Sequence, residues 1–187
     1  MTTLRNLSGH PGEIIVGAET RPDTTALVIE LFEQYQAAIF AYLYRLAGDR
    51  EWAHDLTQET FLRLFRTRRQ LARVENRRAW LYRIATNLAF NFLKRQRRFA
   101  WLPWRQGDSL RTAGPDVTEQ SDQRLAVEHA LGQLPPQYRA PLLLYSHYGF
   151  KVVEIAQMLN ISPGAVKTRL YRAREMFRQA YQGGDGV

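Results

Sequence analysis

The feature that most constrains the fold is the spacing of apolar residues, which recur every three or four positions along most of the 187-residue chain. The first long run includes Leu27, Leu31, Tyr35 and Leu46 and ends at Gly48. This spacing places an apolar stripe on one face of an α-helix, whereas a half-buried strand alternates with period two. No useful length of the sequence alternates in that way. The sequence therefore predicts an all-α fold.

The same spacing predicts further helices at about 50–65, 78–98, 124–134, 137–148, 152–159 and 163–181. The periodicity is missing from the first 26 residues and from 99–123, which are rich in Gly, Pro and small polar residues. We therefore expect a disordered leader at 1–26, a helical domain at 27–98, a flexible linker at 99–123 and a second small helical domain at 124–182. Trp101 and Trp104 leave open that part of the linker docks on a neighbouring domain.

Charge is distributed unevenly along this chain of net charge +8. Residues 63–98 carry 12 basic side chains and one acidic one, and residues 151–178 carry six against two, whereas residues 1–62 carry four against nine. Clustered Lys and Arg release condensed counterions when they bind phosphates. Two basic blocks therefore indicate a nucleic-acid partner more than a solvated face or an acidic membrane surface.

Several classes of protein are disfavoured. The chain has no cysteine, its four histidines share no ligand spacing, and it has neither a Gly-rich phosphate loop nor a nucleophile motif. The sequence has no long apolar window without charge and no signal peptide pattern at the N-terminus. We expect a cytoplasmic protein that is not an enzyme, holds no metal or cofactor, and does not insert into membranes.

Residues 152–170 have the form of a helix-turn-helix. Asn160 suits a left-handed residue at the end of the first helix, Ser162 suits an N-cap, and Pro163 suits the first position of the next helix. Ala156 is small enough for the second helix to pack closely. The second helix then buries an apolar stripe, made of Val166, Leu170, Ala173 and Phe177.

The outward side chains of that second helix suit the DNA major groove, where Arg can donate two hydrogen bonds to guanine. We expect base contacts from Thr168, Tyr171 and Arg172. Phosphate contacts are expected from Lys167, Arg169 and Arg174, with Ser162 at the start of the helix.

An acidic and amide face is predicted on the helix at 50–65. Asp55, Gln58, Glu59 and Leu62 recur at helical spacing, so they share one side. This face would repel DNA. It indicates either a protein partner with basic side chains or an ordinary polar helix surface.

Three motifs, in order, resemble a known family. They are D-x-x-Q-E-T-F-L at 55–62, A-W-L-Y-R-I-A-x-N at 79–87, and E-I-A followed by G-A-V-K-T-R-L-Y-R-A-R at 154–174. The arrangement resembles the extracytoplasmic-function (ECF, group IV) sigma factors of bacterial RNA polymerase. The resemblance implies that 27–98 is sigma region 2, that 124–182 is sigma region 4, and that the chain directs promoter-specific transcription initiation.

The resemblance also implies roles for particular residues. Asp55, Gln58 and Glu59, with Phe61 or Phe65 beside them, would dock on the clamp helices of the largest subunit of core RNA polymerase. Leu142 and Leu143 would form an apolar surface that meets the polymerase flap. Region 4 would read the minus-35 element as duplex, and an anti-sigma protein is an expected partner.

The minus-10 element would be captured as unpaired bases by the loop at 66–78 and the helix that follows. The residues implied are Arg77, Arg78, Trp80, Arg83, Asn87, Asn91, Lys94 and Arg95. Splayed bases are held by stacking and pockets while a basic groove follows the phosphates, so the chemistry fits. A core aromatic is an equally open interpretation of Trp80.

Two other classes remain as alternatives. A symmetric helix-turn-helix repressor or activator would explain 124–182 but not the acidic face or the helix at Trp80. A helical adaptor on acidic membranes would need a broad apolar face directed at lipid. Such a face is not available, because Val166, Leu170 and Phe177 are needed for the fold.

Overall fold

The computed structural model describes residues 24–99 and 120–183, with side chains for 24–97 and 123–183. The predicted leader and linker lie outside the described residues, except for residues 24–26 of the leader and residues 99 and 120–123 of the linker. Within the described residues the regular structure is entirely helical, which confirms the all-α prediction. The helices are α1 (Thr24–Ala47), α2 (Arg50–Arg66), α3 (Arg68–Leu71), α4 (Arg77–Phe99), α5 (Gln120–Gln133), α6 (Pro136–Ser146), α7 (Val152–Leu159) and α8 (Pro163–Gln182).

The largest differences from the sequence prediction are the starts of two helices and one additional short helix. Helix α1 begins at Thr24, three residues before the expected boundary, and α5 begins at Gln120 instead of residue 124. Helix α3 occupies part of the stretch expected to be a loop. It is closed by main-chain hydrogen bonds such as Gln70 N to Thr67 O at 2.9 Å, and it buries Leu71. One apolar residue leaves no period to detect, so a helix this short has no sequence signal.

The first helical unit packs α1 against α2 and α4. Leu46, Leu64 and Leu81 are fully buried between them. The Tyr42 and Thr86 hydroxyls, from α1 and α4, form a buried hydrogen bond of 2.7 Å. At the α1–α2 turn, Asp49 accepts a hydrogen bond from the main-chain N–H of Trp52 at 2.8 Å and so caps α2.

The second helical unit packs α8 against α5, α6 and α7. Its fully buried side chains include Leu144, Ile155 and Val166. The turn between α6 and α7 contains Gly149 at φ 70°, a left-handed conformation that glycine adopts without strain.

The two units also touch each other, because α4 packs against α7 and α1 packs against α5 and α6. The two predicted domains are therefore in direct contact, with an interface between them. Among the described helices, none combines the length and the apolar character needed to cross a membrane.

Candidate nucleic-acid interface

The turn between α7 and α8 has the geometry that the sequence predicts. Asn160 lies in the left-handed region at φ 51° and ψ 51°, and its N–H donates to Ala156 O. Ser162 Oγ accepts a hydrogen bond from the N–H of Ala165 at 3.1 Å, and Pro163 begins α8. The turn is therefore fixed by main-chain geometry and one side-chain cap, which sets the angle of α8 against α7.

Helix α8 separates its buried and exposed residues as expected. Val166, Leu170 and Ala173 are buried, and Phe177 is half-buried against the core. The predicted minus-35 residues Ser162, Lys167, Thr168, Tyr171, Arg172 and Arg174 are exposed, and Arg169 is half-buried. The outer side of α8 thus presents two arginines, one lysine and a tyrosine to solvent, and a third arginine lies half-buried at its border.

Two tyrosines of α6 contact this face, although the sequence analysis did not single them out. Arg172 Nη1 donates to Tyr138 Oη at 3.4 Å, and this hydrogen bond lowers the pKa of the Tyr138 phenol below its ordinary value. The Arg174 guanidinium lies 5.5 Å from the centre of the Tyr145 ring. Tyr138 and Tyr145 are seven residues apart on α6, so helical spacing places both rings on the same side of that helix, and this was the available signal.

The predicted minus-10 residues on α4 form one stripe. At 100° per residue, seven of the eight predicted positions fall within an arc of about 120°. They are Arg77, Trp80, Arg83, Asn87, Asn91, Lys94 and Arg95. The last five are exposed, so a basic and amide track runs along the outer side of α4.

Residues at the start of α4 have a more buried environment. Trp80 is half-buried and packs against the core, so its indole is both packed and accessible. Arg77 Nε is buried, with no hydrogen-bond partner among the described residues. Arg78 faces away from the stripe and donates to the carbonyl of Tyr148, with its guanidinium 4.3 Å from the centre of the Phe150 ring. The structure therefore does not bring Arg78 together with the other seven.

The acidic face of α2 is exposed next to an apolar border. Asp55 and Gln58 are exposed and Glu59 is half-buried; Glu59 lies 3.6 Å from the Arg66 guanidinium in a solvent-facing ion pair. The two phenylalanine alternatives differ in accessibility and neighbours. Phe61 is 6% exposed and packs edge-on against Phe32, with ring centres 5.0 Å apart.

The other phenylalanine, Phe65, is 42% exposed and carries the Arg68 guanidinium over its ring at 4.3 Å. Leu62 and Phe32 are also exposed, which extends the apolar border across α1 and α2. Phe32 was missed by the sequence analysis, because the apolar period of α1 gives no sign that one large side chain lies at the edge of its stripe.

The expected apolar surface at Leu142 and Leu143 is corrected by the structure. Their side chains are only 9% and 4% exposed, so they form no accessible apolar surface. They lie instead at the base of a groove of about 570 Å³, with Phe177 beside them and Arg124 and Arg174 among its lining residues.

Comparison with known families matches both helical units. The family described as Sigma-70 region 2 matches residues 31–99, and the family described as Sigma-70, region 4 matches residues 124–177. Two such regions in this order, the second with a helix-turn-helix, define a transcription initiation factor of the sigma-70 class.

Relatives that match along most of this chain identify the group of sigma factors to which it belongs. The ECF RNA polymerase sigma factor SigL of Mycobacterium tuberculosis is 31% identical over 160 residues, which cover 84% of this chain and 90% of the relative. SigE of Mycolicibacterium smegmatis, also an ECF sigma factor, is 34% identical over 159 residues, but the match spans 80% of this chain and 59% of that longer protein. The chain belongs to the ECF RNA polymerase sigma factors.

A solved structure shares the fold. The sigma factor RpoE from Bartonella quintana, determined in complex with the anti-sigma factor NepR, superposes with a TM-score of 0.67 at 20% identity. The match covers 82% of this chain and 96% of that one.

Proposed function

We propose that this chain is a group IV sigma factor that binds bacterial core RNA polymerase and directs it to promoters. In this proposal it reads a minus-10 element as single-stranded DNA and a minus-35 element as duplex. The observation that carries the proposal is the separation of three surfaces: an acidic face on α2, a basic and amide stripe on α4, and a basic face on α8.

The α2 face suits a basic protein surface. Asp55 and Gln58 are exposed next to Leu62 and Phe65, so charge and apolar area lie side by side. Oppositely charged patches steer encounter, and a buried aromatic anchor supplies affinity. Phe65 is the accessible ring, so we assign it as the anchor and Phe61 as its packing support, with the clamp helices of the largest subunit as the partner.

The α4 stripe suits unpaired bases and their backbone. Lys94, Arg95 and Arg83 supply positive charge, while Asn87 and Asn91 supply both donors and acceptors. The half-buried Trp80 leaves part of its indole accessible, so a splayed base can stack on it. Nothing in this chemistry requires a catalysed step, so the chain acts by positioning polymerase and DNA.

The α8 face suits the major groove. Arg172 is held by one long hydrogen bond to Tyr138, which orients the guanidinium without fully satisfying its five N–H donors. Lys167 and Arg174 then anchor phosphates on either side. We propose a cytoplasmic protein, and an anti-sigma protein as a further partner on the grounds of family membership.

Native mass spectrometry of the purified chain with bacterial core RNA polymerase, followed by run-off transcription from a pool of genomic fragments, tests the proposal. We expect a one-to-one complex that starts transcripts at a small set of promoters. The Asp55→Ala/Gln58→Ala double variant should weaken the complex by about tenfold or more while leaving the helical content unchanged.

The matched control is Glu30→Ala/Gln34→Ala, which removes an exposed carboxylate and amide from α1. It should bind the core enzyme as the unmodified chain does. Equal losses in both double variants would remove the assignment of the α2 face. If no complex forms and the chain alone protects a palindromic duplex, the function is that of a dimeric repressor or activator.

A further inference from the structure

The recognition face of α8 includes a contact from outside the helix-turn-helix. Arg172, which is expected to read a base pair, donates from Nη1 to the Tyr138 hydroxyl oxygen at 3.4 Å. Tyr138 lies on α6, 34 residues earlier in the chain. The side chain that is expected to read DNA is therefore in contact with a residue that the helix-turn-helix motif does not contain.

The Tyr138 ring is held in place by its surroundings. Tyr138 is half-buried, and its ring packs against the apolar core. Its main-chain N–H donates to Pro135 O at 2.9 Å in the first turn of α6, where Pro135 and Pro136 restrict the backbone. Arg172, by contrast, is exposed and has a long side chain with several free torsions. The hydrogen bond thus joins a fixed acceptor to a donor that would otherwise move.

A neutral phenol holds the guanidinium without cancelling its charge. Arg172 has five N–H donors, and one hydrogen bond to Tyr138 leaves the others for DNA. A carboxylate in the same place would bind the guanidinium more strongly and compete with bases and phosphates for it. Glu175, three residues further along α8, has the spacing for such a pair, but its Oε1 accepts from Arg178 Nη1 at 2.9 Å. The positive charge of Arg172 therefore remains available to DNA.

A second α8 arginine acts on the same hydroxyl. The hydrogen bond from Arg172 is the main reason that the pKa of the Tyr138 phenol lies below its ordinary value, and the charges of Arg172 and Arg169 act in the same direction. Arg169 and Arg172 are three residues apart on α8, so they lie on one side of the helix. The proton affinity of Tyr138 therefore reports whether these guanidiniums are close to it.

The other α6 tyrosine on this side makes a less directional contact. The Arg174 guanidinium lies over the Tyr145 ring, 5.5 Å from its centre. A cation above a ring can turn in place with little loss, whereas a hydrogen bond to one oxygen atom fixes a direction. Direction matters for a base contact, in which two N–H groups of one arginine meet two acceptors on a guanine. Tyr138 is therefore the α6 residue suited to orient a base-reading arginine.

We propose that Tyr138 is a positioning residue for the minus-35 contact: its hydroxyl holds the Arg172 guanidinium in the orientation that reads the base pair, so that part of the sequence specificity is encoded on α6. The inference rests on the proposed function, which assigns Arg172 to the minus-35 duplex. Holding a side chain in its bound orientation reduces the conformational entropy that is lost on binding. Loss of the hydroxyl should therefore reduce discrimination between base pairs and leave the phosphate contacts as they are.

Tyr138→Phe removes the hydroxyl and keeps the ring. The complex of the chain with core RNA polymerase is titrated with promoter duplexes that differ only at the minus-35 base pair whose discrimination is lost in Arg172→Ala. We expect Tyr138→Phe to weaken binding to the preferred duplex, and so to lower the ratio of the two affinities, by about threefold to tenfold, the equivalent of one hydrogen bond. The slope of log K against log salt should stay unchanged, because no phosphate contact is removed. An unchanged or higher ratio would overturn the proposal.

Two controls separate positioning from the general effect of losing a hydroxyl. Tyr181→Phe removes the same group from the last turn of α8, nine residues after Arg172, and should leave the ratio unchanged. When Arg172→Ala is already present, Tyr138→Phe should cause no further loss of affinity for the preferred duplex, because Tyr138 acts through Arg172. An equal loss with and without Arg172 would mean that Tyr138 acts on the DNA or on the fold by itself, and would overturn the positioning role.

The contact itself has a readout that does not require DNA. The full chain can be labelled with fluorotyrosine, and the fluorine NMR resonance of Tyr138 is the one that is absent from Tyr138→Phe. In the otherwise unmodified chain this phenol should titrate at a lower pH than in Arg172→Ala, because the arginine stabilises the phenolate. Titration at the same pH in both chains would overturn the contact, and the positioning role with it.

The outcomes distinguish this role from the proposed function. If the complex with core polymerase forms and selects promoters, but Tyr138→Phe selects them equally well, the proposed function stands and the positioning role is wrong. If the chain does not bind core polymerase, the proposed function fails and the specificity role fails with it, although the fluorine titration still reports the contact between Arg172 and Tyr138.

Discussion

Replacing Ser162 separates two roles of this residue at the start of α8. Its Oγ accepts a hydrogen bond from the Ala165 N–H at 3.1 Å, and its side chain is exposed on the face expected to meet DNA. Loss of such a cap costs about 1 kcal/mol. For a chain of this size, that corresponds to a fall in Tm of about 2–4 °C.

Aspartate at the same position keeps the cap and adds a negative charge near the helix N-terminus, which the dipole favours by about 0.3–1 kcal/mol. Ser162→Asp should therefore melt at or slightly above the temperature of the unmodified chain. The same charge lies where a phosphate is expected, so the variant should bind minus-35 duplex at least tenfold more weakly. Ser162→Ala should lower Tm but weaken binding only about fivefold, the equivalent of one neutral hydrogen bond.

Thermal melts by circular dichroism and anisotropy titrations with a minus-35 duplex, taken from a promoter found by run-off transcription, measure the two quantities. Ser162→Thr is the control that keeps both the cap and the hydroxyl. Tight duplex binding by Ser162→Asp would show that the start of α8 does not face a phosphate, and an unchanged Tm in Ser162→Ala would show that the cap contributes nothing.

The remaining predictions concern the exposed residues of α8, Trp80 on α4, and the buried tyrosines. Lys167→Ala should weaken binding to every minus-35 sequence and reduce the slope of log K against log salt by about 0.9. Arg172→Ala should instead lose about 1–3 kcal/mol of discrimination at one base pair. Titrations at several salt concentrations distinguish the two variants. Trp80→Ala should weaken binding to single-stranded minus-10 DNA by about 1–3 kcal/mol, and Trp80→Phe should retain most of it. Burial raises the pKa of the Tyr42 and Tyr148 phenols above the unfolded value near 10, so the folded state holds these protons longer. By urea titration, the difference in the free energy of unfolding between the unmodified chain and Tyr42→Phe should be level below about pH 9 and fall as the pH rises past about 10.

Each of these has a specific contradictory result. Equal salt slopes in Lys167→Ala and the unmodified chain would remove the phosphate contact. A Trp80→Ala variant with a lower Tm but unchanged oligonucleotide affinity would make Trp80 a core residue only. If the difference in the free energy of unfolding between the unmodified chain and Tyr42→Phe does not change through pH 11, then the Tyr42 phenol has the same pKa in the folded and unfolded states.

The local features of the fold could be predicted because their causes are local. The turn before α8 depends on a residue that tolerates a left-handed conformation, a capping hydroxyl and a proline, and Asn160, Ser162 and Pro163 are adjacent in the sequence. The apolar stripe of α8 follows from period alone. The stripe on α4 could likewise be predicted, since helical spacing fixes which of its residues share a side.

Burial at the edges of the helices could not be predicted in the same way. Leu142 and Leu143 give the same apolar signal whether they face a partner or a neighbouring helix, and the structure shows that both are buried. Phe61 and Phe65 are four residues apart on one helix and have the same chemistry. In the structure Phe61 is buried and packs against Phe32, whereas Phe65 is exposed, and the sequence does not distinguish the two.

The contact between the two helical units could not be predicted from the sequence either, because Arg139 of α6 binds main-chain atoms of α1. Its Nη1 donates to the carbonyls of Arg45 and Leu46, at 3.3 and 3.1 Å. The carbonyl of Leu46 lies 93 residues earlier in the chain and would be present whatever side chain that position carried. Burial of the guanidinium lowers the pKa of Arg139 to about 10, still far above neutral pH, so the residue enters the interface as a cation. Its charge is met by the carbonyl end of α1, and among the described residues no ion pair joins Arg139 to an acidic side chain, so no pair of opposite charges marks this contact in the sequence. Substitution of the Arg45 or Leu46 side chain should therefore disturb this contact less than any change at Arg139.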